Sequence, residues 1–386
     1  MKSVFRYTVG LTGLLGILLL AIGCGSSTEK NPQKDLADRL LLKDWMPRSI
    51  HKVPEHNLEK AKYPVIDLHT HDYEAAREEV KKRIQIMNQA GIEKAMIFTE
   101  ATGARFDSIY AVYSEYPERF DVYCGIDYTG YKEEGWSSKA VAELKRLHEI
   151  GCDGLGELGD KGRGMVYSHP TKAIGMHPDD PRLDPVFEAA GELGMPVNIH
   201  VTDPIWMYEP MDSTNDGLMR SYTWRIRNKD KRVGHNGLIK MLERTVQKHP
   251  NTTFVAAHLA NLSYDLSRIG AMLEKYENLY ADIGARFAEF STTPRAAADF
   301  FRRHQDKIVY GTDYGWETFN NNTDYGNSTT TLEMYRTTFR ILETEDDHFY
   351  LTDLMGYKWP LYGLGLKDDV LKNIYRENAL KIIGEQ

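Results

Sequence analysis

Val65-Ile66-Asp67-Leu68-His69-Thr70-His71 is seven residues long, apolar at its start and ends in two histidines separated by one residue. Such a run reads as a buried strand. Successive side chains in a strand alternate sides, so His69 and His71 point the same way. Seven more apolar runs follow at intervals: 94–99, 121–127, 153–158, 196–201, 253–258, 279–284 and 308–313. They are apolar on both faces, as parallel strands covered by helices are. Between them lie helical patterns. Val80, Ile84 and Met87 precede Gly91; Val141, Leu144 and Leu147 precede Gly151; Leu238, Met241, Leu242 and Val246 precede His249-Pro250. Eight strands alternating with helices predict a (β/α)₈ TIM barrel in the α/β class. The long connections, roughly 159–183, 203–235 and 314–366, all follow strands. In this architecture that is the face that carries an active site.

Composition agrees with a large folded domain. The 386 residues are 41% hydrophobic, 27% charged and 11% aromatic, which excludes disorder and collagen-like repeats. Three cysteines exclude a disulfide scaffold. Lys+Arg 48 against Asp+Glu 56 gives a net charge of −8, which argues against nucleic acid as a partner. No glycine-rich dinucleotide fingerprint and no P-loop occurs.

The N-terminus reads as a targeting segment. Lys2 and Arg6 precede an apolar run from about Val9 to Ile22, and Ala21-Ile22-Gly23 stands before Cys24. This resembles a bacterial lipobox. It implies a signal peptide over 1–23, lipidation of Cys24, a lipid-anchored tether over 24–60 and a barrel domain over 61–386. The chain is then expected to be exported and membrane-anchored on the periplasmic or cell-surface side, touching the bilayer through the lipid alone. Cys124 and Cys152 fall in or beside apolar strands; an export compartment permits a disulfide between them, and two separate buried thiols are the preferred expectation.

The strand ends hold the chemistry. His69 and His71 close the first strand, Glu157 the fourth, His200 the fifth, His258 the sixth and Asp313 the eighth. Four imidazoles and two carboxylates converging on one rim make a mixed N/O donor set for a divalent cation such as Zn²⁺. Singly, each is an ordinary buried histidine or acid; together they are hard to explain as packing. Gly311 is expected to leave room for a substrate beside Asp313. Of the other histidines, His169, His177 and His235 lie in long loops of the same face.

With these residues the sequence resembles the amidohydrolase superfamily, and within it the amidohydrolase-related (type 2) family, which also contains decarboxylases. The resemblance rests on VIDLHTH (65–71), GLGELG (154–159), VNIHV (197–201), FVAAHLAN (254–261), LYADIGAR (279–286), VYGTDYG (309–315) and ENALKIIG (377–384). It implies that His69, His71, His200 and Asp313 ligate the metal and that His258 relays a proton. Glu157 would bridge two ions or, with one ion, stand behind the ligands. Lys161 is better placed for substrate than for bridging metals.

The reaction implied is hydrolysis of an amide, ester or lactone of a small molecule, with Asp313 as proton acceptor. The alternative is non-oxidative decarboxylation of an aromatic or muconate-like acid on the same ligands. A further alternative is a catalytically inactive surface binding protein. Trp206, Tyr208, Trp224, Arg225 and Arg227 in the strand-five loop, with Arg286 after strand seven, suggest an anionic or aromatic substrate. Trp206, Arg225 and Arg286 are the named candidates. The alternative for the aromatic residues, including Trp316, Tyr325 and Trp359 in the last long loop, is packing. Homo-oligomerisation is left open.

Overall fold

The computed structural model describes residues 36–71, 76–219, 225–315, 331–351 and 357–385. It divides into two compact units, up to Asp44 and from Trp45 to the C-terminus. In the first, the described residues contain one short 3₁₀ turn, Leu42–Asp44. The second is the barrel, and it takes in part of the expected tether: the backbone N–H of His56 donates to Asp346 (2.9 Å), and Arg336 donates to the Glu59 carbonyl.

The strands are β1 (Val65–His71), β2 (Ile92–Phe98), β3 (Phe120–Cys124), β4 (Gly154–Asp160), β5 (Gly164–Met165), β6 (Ala173–Ile174), β7 (Val197–Val201), β8 (Phe254–Ala256), β9 (Leu279–Asp282), β10 (Ile308–Val309) and β11 (Tyr314–Gly315). The helices are α1 (Arg77–Ala90), α2 (Gly103–Tyr113), α3 (Trp136–Ile150), α4 (Asp184–Glu192), α5 (His235–Lys248), α6 (Leu266–Lys275), α7 (Phe287–Ser291), α8 (Pro294–Arg303), α9 (Thr331–Glu343), α10 (Asp368–Lys372) and α11 (Asn378–Ile383). The parallel order is β10-β9-β8-β7-β4-β3-β2-β1-β11. β10 pairs with β9 and β11 with β1, so residues 308–315 serve as one interrupted eighth strand that joins the two edges. This is the (β/α)₈ barrel. The β5–β6 hairpin belongs to the loop after β4 and runs antiparallel to it.

Helix burial follows the expected stripes. Val80 and Met87 of α1 and Leu144 and Leu147 of α3 are buried, and Gly91 and Gly151 end those helices. Inside the barrel, Ile66, Leu68, Met96, Phe98, Tyr123, Val255 and Val309 form one apolar cluster, closed below by Ala379, Leu380 and Ile382 of α11.

Two features of β1 decide where its histidines go. Asp67 accepts from the backbone and hydroxyl of Thr312 (3.0 and 2.7 Å) and from the Tyr335 hydroxyl of α9 (2.9 Å), which ties strand eight and that helix to strand one. The register with β2 then slips between Asp67 and Thr70. Such an irregularity re-aims side chains. His69 accordingly meets the interior Phe98 ring (4.8 Å) instead of following Asp67 outward.

Gly311 has a different task from the expected one. A Cβ there would lie 2.7 Å from the Cβ of His69, so its small size lets the two strands approach and leaves nothing over for a substrate. The expectation of two separate thiols is also corrected. Cys124 ends β3, Cys152 leads into β4, and the pairing of those strands sets their Cα atoms 6.1 Å apart, where a disulfide joins them.

Candidate metal centre

The six expected rim residues arrive from five strand ends, His69 and His71 sharing β1, and all are buried side chains except Asp313, whose side chain is 28% exposed and faces a cavity. His71 Nε2 lies 3.0 Å from Asp313 Oδ1 and 3.3 Å from His69 Nε2. Glu157 occupies the middle. Its carboxylate lies 2.7 Å from His200 Nδ1, 3.2 Å from His258 Nε2 and 3.7 Å from Nε2 of both His69 and His71. The His69-His71-Glu157 and Glu157-His200-His258 trios each bring their donor atoms within 4.8 Å of one another.

The outer nitrogens of three rings are already committed. His69 Nδ1 donates to Asp282 Oδ2 (2.9 Å), His258 Nδ1 to the Gly284 carbonyl (2.8 Å) and His200 Nε2 to the Thr202 carbonyl (2.8 Å). A neutral imidazole has one N–H. The nitrogens that face Glu157 therefore carry lone pairs against a carboxylate. That arrangement is repulsive until a cation, either protons or a metal ion, lies among them. The donor set fits a divalent ion on this ground.

Charge coupling points the same way. Burial would raise the Asp313 carboxyl, but His258, His69 and His71 outweigh it and hold it well below the usual range. Glu157 behaves likewise against burial, through His200, His258 and His69. Burial opposes charging of His69, yet Asp282, Asp313 and Glu157 lift it well above an ordinary histidine. His200 is lowered, burial being its largest influence.

Asp282 was not singled out by the sequence reading, although it lies inside LYADIGAR. It is fully buried. Beyond His69 it accepts from Asn198 Nδ2 (2.9 Å) and from the backbone N–H groups of His258 (3.0 Å) and Gly284 (2.9 Å). With these lone pairs committed, it orients His69 and fixes its tautomer, as a carboxylate behind a metal-binding histidine does. The chain leaves β8 at Ala256, and His258, Leu259, Ala260 and Asn261 all have left-handed backbone, φ 51 to 59. Such conformations cost of order 1–3 kcal/mol each and persist where the surroundings enforce them. Here the turn presents His258 Nε2 to Glu157 and Asn261 Oδ1 to Arg286.

A cavity of about 350 Å³ opens above these groups, and Glu100, Lys161, Tyr167, His169, Lys172 and Arg286 help to line it. Arg286 is 1% exposed, and Nη2 donates to Asn261 Oδ1 (2.6 Å). Lys161 pairs with Asp203 (3.0 Å). Glu100, the second residue missed, ends strand two in left-handed backbone (φ 53). A Cβ at Gly125 would lie 2.7 Å from its carbonyl oxygen, so only glycine admits that turn. Burial pushes the Glu100 carboxyl up to about 7; the pull of His71 does not offset it. The rule that picked out Glu157, an acid at a strand's C-terminal end, applies equally to Glu100 and Asp282.

The strand-five loop goes elsewhere. Among the described residues Trp206 and Arg225 do not line this cavity. Trp206 packs with Met207 and Ile226 and lines a separate cleft, and Arg225 is exposed. Trp359 lines that same cleft. The hydroxyl of Tyr208 is bonded to Thr202 (2.8 Å). His177 pairs with Asp160, and His235 faces the Asn261 carbonyl. Trp224, Trp316, Tyr325 and Cys24 lie outside the described residues.

Comparison with known proteins bears on the fold and the family. No curated protein sequence matches the chain significantly. Among solved structures, 2,6-dihydroxybenzoate decarboxylase in complex with 2,6-dihydroxybenzoate is 14% identical, with a TM-score of 0.51 over 83% of this chain and 99% of that one. An uncharacterised TIM-barrel protein of Bordetella bronchiseptica is 17% identical (TM-score 0.49; 83% and 98% covered). 4-Oxalomesaconate hydratase of Rhodopseudomonas palustris is 13% identical (TM-score 0.49; 83% and 95% covered). The amidohydrolase profile Amidohydro_2 matches residues 66–384, nearly the whole barrel unit. The chain belongs to the amidohydrolase family.

Proposed function

We propose that the protein is a metal-dependent hydrolase that cleaves an amide, ester or lactone of a small anionic molecule. The observation that carries this reading is the convergence of imidazole lone pairs on Glu157 beside a rim carboxylate, Asp313, that stays ionised. His69, His71, His200 and Asp313 would hold the ion, with Glu157 among them. Zinc suits the mixed nitrogen and oxygen donors. A divalent ion there supplies Lewis acidity, which polarises substrate oxygens and lowers the pKa of water.

Asp313, ionised and open to the cavity, accepts the proton released from water during attack. His258 Nε2, close to both carboxylates, passes it toward the leaving group. Lys161, Lys172 and Arg286 give the cavity wall positive charge suited to an acidic substrate.

One observation favours the second reading, a decarboxylase. An acid titrating near 7, Glu100, stands in the same wall and can protonate the carbon that loses CO₂. A screen of N-acyl compounds, lactones and aromatic carboxylates on metal-loaded protein, following both acid release and CO₂, tests these readings. Metal-dependent acid release is expected. CO₂ without hydrolysis would replace the first reading with the second. Bound metal with neither product would favour a binding protein.

We also propose export and anchoring through a lipid on Cys24. The Cys124–Cys152 disulfide is in keeping with an oxidising compartment. Cys24→Ala should release the protein from the membrane fraction or leave it unprocessed; a processed, lipid-labelled variant would refute the anchor.

A further inference from the structure

The loops after β4 and β7 border a second hollow, of about 740 Å³ and open to solvent, separate from the catalytic cavity. Its lining carries four permanent cations, Arg163, Arg227, Lys231 and Arg232, against a single carboxylate, Asp230. Elsewhere on this chain of net charge −8, basic side chains commonly meet acids, as in Arg77–Glu115, Arg146–Glu143, Arg244–Asp179 and Arg376–Glu93. Among the described residues, Arg163, Arg227 and Lys231 have no such partner. Like charges gathered around a concavity repel one another and concentrate counter-ions there.

The hollow has a fixed frame. Asp160, fully buried, accepts from the backbone N–H groups of Gly162 (2.7 Å) and Gly164 (2.9 Å) and is bonded to His177 Nδ1 (2.5 Å). His177 therefore lines the hollow with its proton favoured, the bond to Asp160 being the largest cause. Val233 N–H donates to the Gly162 carbonyl (3.0 Å), and Arg232 Nη1 donates to the Lys161 carbonyl (3.1 Å). Lys161 itself lines the catalytic cavity, so one turn of chain forms the wall between the two spaces.

We infer that this hollow is a binding site for a multiply charged oxyanion, such as a sulfate or phosphate group, held in the guanidinium forks of Arg163 and Arg227 with Lys231 and Arg232 beside them. The site rests on its own geometry and stands whichever reaction the catalytic cavity performs.

Calorimetric titration of the metal-loaded full chain tests it, with inorganic sulfate and with a sulfated disaccharide as probes, at low ionic strength and against chloride at matched ionic strength. Saturable sulfate binding with Kd of about 1 mM or below is expected. The double substitution Arg163→Ala with Arg227→Ala should weaken it at least about tenfold and leave metal content unchanged, while Arg302→Ala, which removes a cation paired with Asp299, should leave binding as it is. Disaccharide binding tighter than sulfate, lost in the double variant, assigns the site to an anion carried on a larger ligand; equal affinity assigns it to a free ion. Absence of saturable binding of either probe, or binding that the double variant retains, overturns the inference.

Discussion

Lys94, near the N-terminal end of β2, is 7% exposed and lies 3.0 Å from Asp121 of β3 and 2.5 Å from Glu385. At the other end of the same barrel, four imidazoles surround Glu157 and Asp313, and three of them have already given their outer N–H to other acceptors. Both ends bury charge. At the first, the cation is bonded to an anion on each side, one of which, Glu385, is open to solvent. At the second, lone pairs face carboxylates, and a cavity lies above them. Buried charge alone does not mark a site; buried charge whose balance needs something from outside does. The barrel architecture assigns its C-terminal face to chemistry and its N-terminal face to stability.

Substitution at each end should separate these roles. Asp313→Asn keeps the shape and an oxygen donor but removes basicity. Turnover should fall at least about 10²-fold while metal is retained, as rate and elemental analysis on the same preparation would show. Near wild-type turnover with metal bound would make Asp313 a structural acid. At the opposite end, Lys94→Ala leaves Asp121 buried without its cation. Stability in urea should drop by about 2–3 kcal/mol with metal content unchanged. Loss of metal in that variant would erase the distinction between the ends.

Glu100 sharpens the comparison, because it is an acid at the reactive end with no cation bonded to it among the described residues. Its folded pKa of about 7 exceeds its unfolded value, so the native state binds the extra proton and stability falls as pH rises toward 7. His71, Glu157, Lys172 and Arg105 are the charged groups that act on it. Glu100→Gln should therefore be more stable than the parent at pH 8, by about 3 kcal/mol, with the difference shrinking toward pH 5. A variant less stable at pH 8 would show that Glu100 holds the fold together rather than serving the cavity.

The strands and the six rim residues were legible because a buried parallel strand is a continuous apolar run and its last polar residue stands out. Glu100 and Asp282 are also acids at or just past the ends of strands. They went unseen because Glu100 follows its strand in a left-handed turn that no local pattern announces, and Asp282 was absorbed into a motif read for its apolar residues. The slip in register after Asp67 is also silent in sequence, since it depends on how β1 meets β2. The loops were the least legible part. Trp206 and Arg225 have the chemistry of a substrate site but no periodicity to say which way the chain turns, and it takes them away from the histidines. The disulfide required knowing that β3 and β4 are neighbours, which the order of strands in a barrel supplies only after the barrel is granted.

The strand-end groups of this amidohydrolase-family chain are expected to hold a divalent ion. Titration of chelator-stripped protein with Zn²⁺, following heat and proton release, tests it most directly. Saturable binding is predicted, with His71→Ala losing more than the roughly 10–100-fold expected when only a supporting residue is removed. No saturable binding in the parent, or unchanged affinity in His71→Ala, would contradict it.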